Sequence, residues 1–347
     1  MTPTADIDAE SHAGKRPGVK AWLLMAPLLA WLLLLVVLPT LTIVAFSFCR
    51  LGPLGSVTYD ATLDNYRKLV DRHQTVIVLW SSLAGFVATG VAWAIRRRWD
   101  VTTPAVAAAM FWLIANVLTF GVTPDPTALP WLKIAVVSIN YALTSTAICL
   151  LLGYPVAYFI AKSPRRWRNL LLLSVMIPFW TSFLVRTYAW VTILREGGLF
   201  NTLLLKLGLI NEPLQMYPSQ TGVMIGLVYT YLPFMILPIY TSIERLDNAL
   251  IEAALDLGAS PLRAFRRVIL PLTRPGIVAG IVLTFVPAVG MFAVNDILGG
   301  RREMLLGNLI ERQFLVALDK PFGSAIGMLL LVLFVVTYAM SQRRRPA

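Results

Sequence analysis

Eight apolar runs divide the chain, and short polar or basic segments separate them. A run of about 18 or more mostly apolar residues is long enough to cross the hydrocarbon core of a bilayer as a helix. The pattern therefore predicts an all-α polytopic membrane protein with eight spans. The predicted spans are residues 22–46, 76–95, 104–122, 131–160, 170–193, 220–240, 276–297 and 322–340.

Two further features of the pattern concern the ends of these runs. The first run is too long for the core of a signal peptide and lacks a small-residue cleavage site, so we expect a retained helix. In the mixed stretch 194–218 the leucines at 199, 203, 204 and 207 share one side, which predicts a short interfacial helix.

The composition agrees with a membrane protein. The chain is 57% hydrophobic and 14% charged, with a mean hydropathy of +0.71, whereas a soluble domain has roughly 45–50% apolar and about 25% charged residues. Cys49, Cys149, His12 and His73 fit no metal or redox spacing. The sequence has no GxxxxGK[ST] phosphate loop, so we expect no cofactor in this chain and no ATP binding by that route.

The net charge of +12 is concentrated in clusters between the runs. Lysine and arginine favour the cytoplasmic ends of spans. With eight spans and an inside N-terminus, every cluster of three or more basic residues falls on the same side: 15–20, 96–98, 162–168, 245–274 and 343–345. We therefore predict that both termini are cytoplasmic and that the charge orients the spans rather than binding nucleic acid.

The segment between the sixth and seventh runs is predicted to start with a short helix. Asp247 or Asn248 can cap its first turn, because a short side-chain oxygen accepts from free backbone N–H groups. Gly258 can end it by adopting a positive φ without strain. Five apolar residues have helical spacing along one side: Leu246, Leu250, Ala253, Ala254 and Leu257.

A second short helix is predicted to follow at a sharp elbow. Ser260 is a natural N-cap, and Pro261 suits the first helical position, where a missing N–H costs nothing. Pro271 is expected to stop this helix, since proline cannot donate to the preceding turn. Between them, Arg263, Arg266 and Arg267 share one polar side. The local sequence thus predicts a rigid, basic helical elbow in water, for which the plain alternative is a solvated loop.

The residues of this elbow resemble the EAA loop of ABC-importer permeases. The resemblance rests on Glu252-Ala253-Ala254, then Gly258, then Ile269-Leu270-Pro271. In that family the loop forms a coupling helix that docks in a cleft of the ATP-binding subunit. The resemblance implies an ATPase-coupling role for Glu252, Ala253, Ala254, Asp256, Leu257, Gly258, Ala259, Ser260 and Pro261.

The resemblance extends over residues 125–327, with a shorter match in 22–66, and is strongest to the polyamine (spermidine and putrescine) permeases of that family. The segments that carry it are 176–181, 185–188, 226–234, 242–247 and 296–300. It implies a type I importer domain with six core helices in the bacterial inner membrane. The implied partners are an ATP-binding subunit dimer that holds ATP and Mg²⁺, a second permease on a different chain, and a periplasmic or lipid-anchored solute-binding protein. A permease of this kind breaks no bond, so we expect no enzyme activity in this chain.

The chain departs from the family pattern by an inserted hydrophobic hairpin at 72–124. Both ends of the hairpin return to the outer side, so the core topology is preserved. We expect the hairpin to pack against lipid or a partner, with a regulatory device as the alternative. The predicted organisation is a tail at 1–21, a first core helix and periplasmic segment at 22–71, the hairpin, a core domain at 125–341 with its coupling loop at 244–275, and a basic tail at 342–347.

Charged and aromatic residues inside the spans are the candidates for substrate contact, because a polar group in hydrocarbon is costly unless it faces a cavity or a partner. Asp296 suits a cationic amine, since a carboxylate in a partly dehydrated site pairs well with ammonium groups. Five aromatic residues can offer ring faces to the same cation: Trp180, Tyr188, Trp190, Tyr229 and Tyr231. The plain alternatives are interfacial aromatics and an Asp296 that simply lies at a helix end. Arg186 would repel a polyamine and is expected to have a structural carbonyl or carboxylate partner.

Three other functions stay open at this point. The first is an ABC permease for another small organic cation or an amino-acid-like solute. The second is an ion-coupled secondary transporter, which would carry coupling carboxylates deep in several spans, whereas the central parts of these runs have almost no Asp or Glu. The third is a membrane scaffold, which would leave the basic elbow unexplained.

Overall fold

The computed structural model describes residues 19–69, 130–300 and 304–342, so the inserted hairpin at 72–124 and its two predicted spans lie outside the described residues. The described chain is almost entirely helical, with one two-stranded antiparallel ribbon formed by β1 and β2. The elements are α1 (Val19–Ser47), β1 (Arg50–Leu51), β2 (Val57–Thr58), α2 (Asp64–Leu69), α3 (Pro130–Lys162), α4 (Arg165–Met176), α5 (Phe183–Leu194), α6 (Leu199–Lys206), α7 (Gln220–Glu244), α8 (Asn248–Asp256), α9 (Pro261–Ala264), α10 (Leu270–Leu272), α11 (Arg274–Gly290), α12 (Ala293–Leu298), α13 (Leu306–Leu315) and α14 (Lys320–Gln342).

Helices long and apolar enough to cross a membrane fall where the sequence predicts spans. Three pass by themselves, namely Met25–Ser47, Ile134–Lys162 and Gln220–Glu244. Two more pass only as bent pairs, Arg165–Trp180 with Phe183–Lys206 and Pro261–Leu272 with Arg274–Gly290. The apolar part of α14 at Lys320–Val332 is shorter. The described residues therefore hold three to five spanning helices by length and composition, and the predicted total of eight is not confirmed.

Helices α3, α7 and α11 pack together around the main apolar core. On α7 the side chains of Leu227, Met235 and Ile239 are fully buried, and Ala157 and Ile160 of α3 pack in the same cluster. These positions recur at helical spacing, which explains why a sequence that is apolar on all sides still has a defined inner face.

Glycine allows the closest approach in this core. A Cβ atom at Gly280 of α11 would lie 2.8 Å from the sulfur of Met235 and 3.2 Å from its carbonyl oxygen on α7. Such spacing leaves no room for a side chain, which is the usual reason for small residues four apart in membrane helices. Gly276, one turn earlier on α11, faces Ser242 and Pro238 in the same way. Gly276 and Gly280, four residues apart, thus allow α7 and α11 to approach closely.

The fifth predicted span, 170–193, is wrong as a single helix. The chain passes through a 3-10 turn at Ile177–Trp180, and the two helical parts meet at 95°. Pro178 has no N–H to donate to the preceding turn, and Thr181 then adopts extended backbone with φ −91° and ψ 151°. The prediction that residues 199–207 form a short helix is confirmed by α6, which follows directly on α5.

The seventh predicted span, 276–297, is also divided. Helix α11 ends at Gly290, Met291 is extended, and α12 starts anew at Ala293. Pro287 removes one intrahelical hydrogen bond just before this end. Gly290 has a low helix propensity, which also favours the end of the helix at this position.

Pro271 does not stop the second elbow helix where the sequence predicts. A π-turn at Phe265–Ile269 follows α9, and there the N–H of Leu270 bonds to the carbonyl of Phe265, five residues back. The helical path continues through Pro271 as α10 and bends only at Thr273, by 63° into α11. The widened turn changes the hydrogen-bond register just before the proline, so the bend is displaced by two residues.

The segment after α1 folds back on itself. Buried Asn65 of α2 donates to the carbonyl oxygens of Ser47 at 3.0 Å and Cys49 at 2.8 Å. Leu69 packs in a second apolar cluster with Leu306 and Ile326. This cluster fastens α2 to α13 and α14. Helix α13 lies between the seventh and eighth predicted spans, where the pattern of apolar runs predicts no helix.

Candidate functional site

The elbow between α7 and α11 has the capped geometry that the sequence predicts at its turn. Of the two candidate caps, Asp247 is the one used, and its carboxylate accepts from the N–H of Ala249 at 3.0 Å. Gly258 has φ +82°. The N–H groups of Gly258 and Ala259 bond back to the carbonyls of Leu255 and Ala254, which is the glycine-ended Schellman arrangement.

The next helix, α9, starts as predicted at Pro261, directly after the N-cap residue Ser260. The hydroxyl of Ser260 accepts from the N–H of Arg263 at 3.4 Å, with Pro261 at the first helical position. The turn between α8 and α9 is thus hydrogen-bonded on both sides. The two capping positions, Gly258 and Ser260, have one residue between them, and together they make a rigid elbow rather than a solvated loop.

The elbow exposes its apolar side. No residue of α8 is buried, and the exposed fractions are 89% for Leu257, 50% for Leu250 and 59% for Leu262. Glu252, Ala253, Asp256, Ser260 and Pro261 are exposed as well, while Ala254 and Ala259 are half-buried. Among the described residues, no other segment packs over this leucine-bearing surface. A grouped, exposed apolar surface of this kind is typical of a protein interface.

Two polar contacts join the start of the elbow to the corner between α3 and α4. The guanidinium of Arg168 donates to the Glu244 carboxylate at 3.1 Å, and the ammonium of Lys162 donates to the Asn248 side-chain oxygen at 2.6 Å. Arg168 also donates to the carbonyls of Ala161 and Ser163 at the end of α3. Sequence reasoning missed these contacts; the signal was a cluster of basic residues after the fourth run and a lone glutamate after the sixth.

A buried polar cluster holds Asp296 on α12. The amide nitrogen of Asn308 on α13 donates to one carboxylate oxygen of Asp296 at 2.7 Å, and its amide oxygen accepts from Asn295 at 2.8 Å. Asn308 is 2% exposed. Two residues earlier, the backbone N–H of Leu306 donates to the Ser138 hydroxyl of α3 at 2.7 Å. Sequence reasoning missed Asn308, because a lone asparagine in a polar stretch carries no signal for a contact across the fold.

The second oxygen of the Asp296 carboxylate has no hydrogen-bond partner among the described residues, and the side chain is half-buried. An anchored carboxylate with one free oxygen is able to accept from an ammonium group.

The five candidate aromatics do not form one cluster. The rings of Trp190 on α5 and Tyr229 on α7 meet edge to face, with centroids 5.4 Å apart. Tyr231 is 3% exposed and packs in the core, while Trp180 is 76% and Tyr188 59% exposed on the outer surface. Helix α12, which carries Asp296, packs against both α5 and α7. The fold therefore brings Trp190 and Tyr229 into contact and separates the other three aromatic residues from this pair. Asp296 lies on a helix that packs against the two helices carrying the pair.

Arg186 has a different partner from the one expected. Its guanidinium lies over the ring of Phe179, with its central carbon 5.4 Å from the ring centroid. Its buried Nε has no hydrogen-bond partner in the described part of the chain. Within the same residues, no three His, Cys, Asp or Glu side chains are placed to hold a metal ion.

The sequence and fold have relatives among known proteins. The family described as "Binding-protein-dependent transport system inner membrane component" matches residues 150–344. The chain is 37% identical to the spermidine/putrescine transport system permease protein PotB of Escherichia coli K12, over 89% of this chain and 92% of that protein. It is 36% identical to PotB of Haemophilus influenzae, over 90% of this chain and 89% of that protein.

Among solved structures, the chain is similar to an inward-facing form of the MetNI methionine ABC transporter, with a TM-score of 0.49 and 16% identity, over 64% of this chain and 97% of that one. The family match covers more than half of the chain, and the two relatives match it over nearly their whole length. This chain belongs to the family of inner membrane components of binding-protein-dependent transport systems.

Proposed function

We propose that this chain lines the translocation pathway of an ABC importer for a polyamine such as putrescine or spermidine. Two observations support the substrate. The relatives named above are spermidine/putrescine permeases, and the Asp296 carboxylate, with one oxygen unbonded among the described residues, lies on a helix that packs against the helices of Trp190 and Tyr229. Family membership argues against the secondary-transporter and scaffold alternatives. A related small organic cation remains the competing substrate, and the experiment below separates the two.

The observation that carries the coupling role is the exposed, doubly capped elbow. A coupling element has to transmit movement of the ATP-binding subunit to the spanning helices. It must therefore be rigid and must offer a surface to its partner. The caps at Asp247 and Ser260 and the positive φ of Gly258 supply the stiffness. Leu250, Leu257 and Leu262 supply the surface. We assign to this surface the docking of an ATP-binding subunit, and to Arg168 and Glu244 the link back to the spanning helices.

The same proposal fixes orientation and partners. The basic clusters support a cytoplasmic position of the elbow and both termini, because lysine and arginine favour the cytoplasmic ends of spans. ATP and Mg²⁺ belong to a dimer of ATP-binding subunits, a second permease completes the pathway, and a solute-binding protein delivers the substrate from outside. The chain itself then needs no cofactor and carries out no bond chemistry.

At the pathway, Asp296 is the proposed ion-pair partner of the substrate ammonium. Asn308 holds one carboxylate oxygen and leaves the other free. Trp190 and Tyr229 would offer ring faces to the same cation, each worth about 0.5–2 kcal/mol depending on hydration.

Purification of the tagged chain from its native membrane tests the importer role directly. We expect an ATP-binding subunit and a second permease in stoichiometric amounts. The solute-binding protein of the same system, added to the reconstituted complex, should stimulate ATP hydrolysis with putrescine or spermidine bound. Stimulation by another cation alone would refute the polyamine assignment, and a chain that purifies alone in several mild detergents would refute the coupling role.

A further inference from the structure

An open groove lies at the corner between α3 and α4, next to the elbow but outside it. Its volume is about 460 Å³, and it is lined by Phe159, Lys162, Ser163, Pro164, Trp167 and Leu171. The lining is mostly carbon, and Phe159 and Trp167 are 64% and 53% exposed. Nothing in the proposed transport role uses this groove.

The rim of the groove carries positive charge that the fold does not neutralise. Lys162 bonds to the amide oxygen of Asn248, a neutral group. Arg165 and Arg166 are exposed and have no carboxylate partner within the described ranges. Only Arg168 is paired, with Glu244 at 3.1 Å. One cationic side chain, Lys162, therefore lines the groove, and Arg165 and Arg166 lie between its lining residues Pro164 and Trp167 in the chain.

The position of the groove in the fold matches the boundary between hydrocarbon and water. Lys162 is the last residue of the spanning segment Ile134–Lys162, and Arg165 is the first of the next apolar helical pair. Trp167 is a residue type that collects at membrane interfaces, and the Arg166 guanidinium lies 6.0 Å from its ring centroid. Phe159, about one turn before the end of α3, and Leu171, nearly two turns into α4, lie on the hydrocarbon side of this boundary.

We propose that this groove binds one anionic phospholipid, with the headgroup phosphate between Lys162, Arg165 and Arg166 and an acyl chain along Phe159, Trp167 and Leu171. An apolar groove that opens at the membrane boundary suits an acyl chain, and the rim charge is complementary to a phosphate. A zwitterionic lipid fits the groove equally well but gains less from the rim. Because Lys162 also contacts the first residue of α8, the bound lipid would touch the support of the elbow.

Quenching of tryptophan fluorescence by brominated lipids tests the site, since the bromine quenches only on contact. The purified complex is placed in phosphatidylcholine vesicles with a minor fraction of brominated phosphatidylglycerol or, separately, brominated phosphatidylcholine. The difference between the wild type and Trp167→Phe isolates the signal of Trp167. Each basic residue near an anionic headgroup gives about a fivefold preference, so we expect Trp167 to prefer the anionic lipid by roughly tenfold or more.

The variant Lys162→Gln/Arg166→Gln should abolish most of this preference. The matched control is Arg195→Gln/Lys206→Gln, which removes the same charge from exposed positions after α5 and at the end of α6 and should leave the preference intact. If the first variant does not assemble, the salt dependence of the wild type replaces it: raising the salt should weaken the anionic preference but not the quenching by phosphatidylcholine.

Two results would overturn the proposal. Equal quenching by both lipids would mean that the groove is ordinary lipid-facing surface. No quenching of Trp167 by either lipid would mean that protein covers the groove in the assembled transporter. Both readouts are independent of ATP hydrolysis and of transport, so the site and the importer role fail or hold separately.

Discussion

Asn308 on α13 donates a 2.7 Å hydrogen bond to one carboxylate oxygen of Asp296 on α12. The same asparagine donates to the Phe292 carbonyl and accepts from Asn295 and from the Leu305 N–H. All polar atoms of its side chain are therefore engaged, and Asp296 is held in one orientation. A carboxylate fixed this way loses little conformational freedom when it binds a cation.

The charge of Asp296 is the first property to test. In Asp296→Asn the ion pair to the substrate ammonium is lost, which is worth about 1.5–3 kcal/mol for a charged hydrogen bond. We expect uptake of putrescine at low concentration to fall roughly 10- to 100-fold in proteoliposomes that hold the whole transporter. Asp60→Asn, which neutralises an exposed acid before α2, is the control. Uptake at the wild-type level in Asp296→Asn would remove this residue from the pathway.

Asn308 should affect both the stability of the fold and the orientation of the Asp296 carboxylate. Asn308→Leu has a similar volume but removes the hydrogen bonds that Asn308 accepts from Asn295 and from the Leu305 N–H. The lost partner of the buried Leu305 N–H alone costs about 1–3 kcal/mol. We expect a lower thermal midpoint and, in addition, a higher KM for the polyamine, because Asp296 is no longer oriented. A lower midpoint with an unchanged KM would assign Asn308 to the fold alone.

Local signals made the elbow predictable from sequence. Capping by Asp247 and Ser260 and chain reversal at Gly258 each depend on residues within five positions of one another, and the residue types indicate these hydrogen bonds directly. The positions of the spans were predictable for the same reason, since hydropathy is a local average.

The bends and the polar cluster were not predictable in this way. Hydropathy averages apolar character and contains no information on backbone direction. The bend at Pro178 therefore lies inside an apolar run that is long enough to be predicted as one span. Asn308 reaches Asp296 and Asn295 from α13, and α13 is itself positioned by contacts with α3 and α14. Of the candidate aromatics, only packing separates Tyr229 from Tyr231: two residues apart on a helix, they point to different sides.

The close contact between α7 and α11 predicts opposite effects for two identical substitutions. Gly280→Ala puts a Cβ 2.8 Å from the Met235 sulfur, and overpacking of this kind costs about 1–3 kcal/mol. Gly327→Ala on α14 meets no atom within 4 Å and should stabilise its helix by about 0.5–1 kcal/mol. Unfolding in increasing SDS measures both. A stabilising Gly280→Ala would show that the two helices separate easily.

The Asp64–Arg50 pair predicts a small acid sensitivity of the segment after α1. The hydrogen bond from Arg50, at 2.8 Å, and then that of Thr62 hold the pKa of Asp64 below its ordinary 3.8. A depressed folded-state pKa contributes stability above the unfolded value, and that stability is lost as pH falls through the folded one. Thermal unfolding between about pH 5 and pH 3 should therefore show a smaller drop in Asp64→Asn than in the wild type, and an unchanged drop in Asp60→Asn. An identical drop in all three proteins would contradict the assignment.

Gly258 offers the sharpest test of the elbow, because the chain contains a matched glycine. Gly258 and Gly208 both have positive φ, +82° and +67°, and a Cβ added at either position would meet no other atom within 4 Å. Leucine at either position therefore suffers the same left-handed strain of about 1–2 kcal/mol and no clash of its Cβ with the described residues. Only at Gly258 would the new side chain enter the proposed docking surface.

We therefore expect Gly258→Leu and Gly208→Leu to lower the thermal midpoint by similar amounts, while only Gly258→Leu loses substrate-stimulated ATP hydrolysis or releases the ATP-binding subunit during purification. Because both variants carry the same backbone strain, the difference between them reports only the effect of the new side chain on the docking surface. Normal stimulated hydrolysis in Gly258→Leu would refute the coupling role of the elbow, whereas equal loss in both variants would trace the defect to stability.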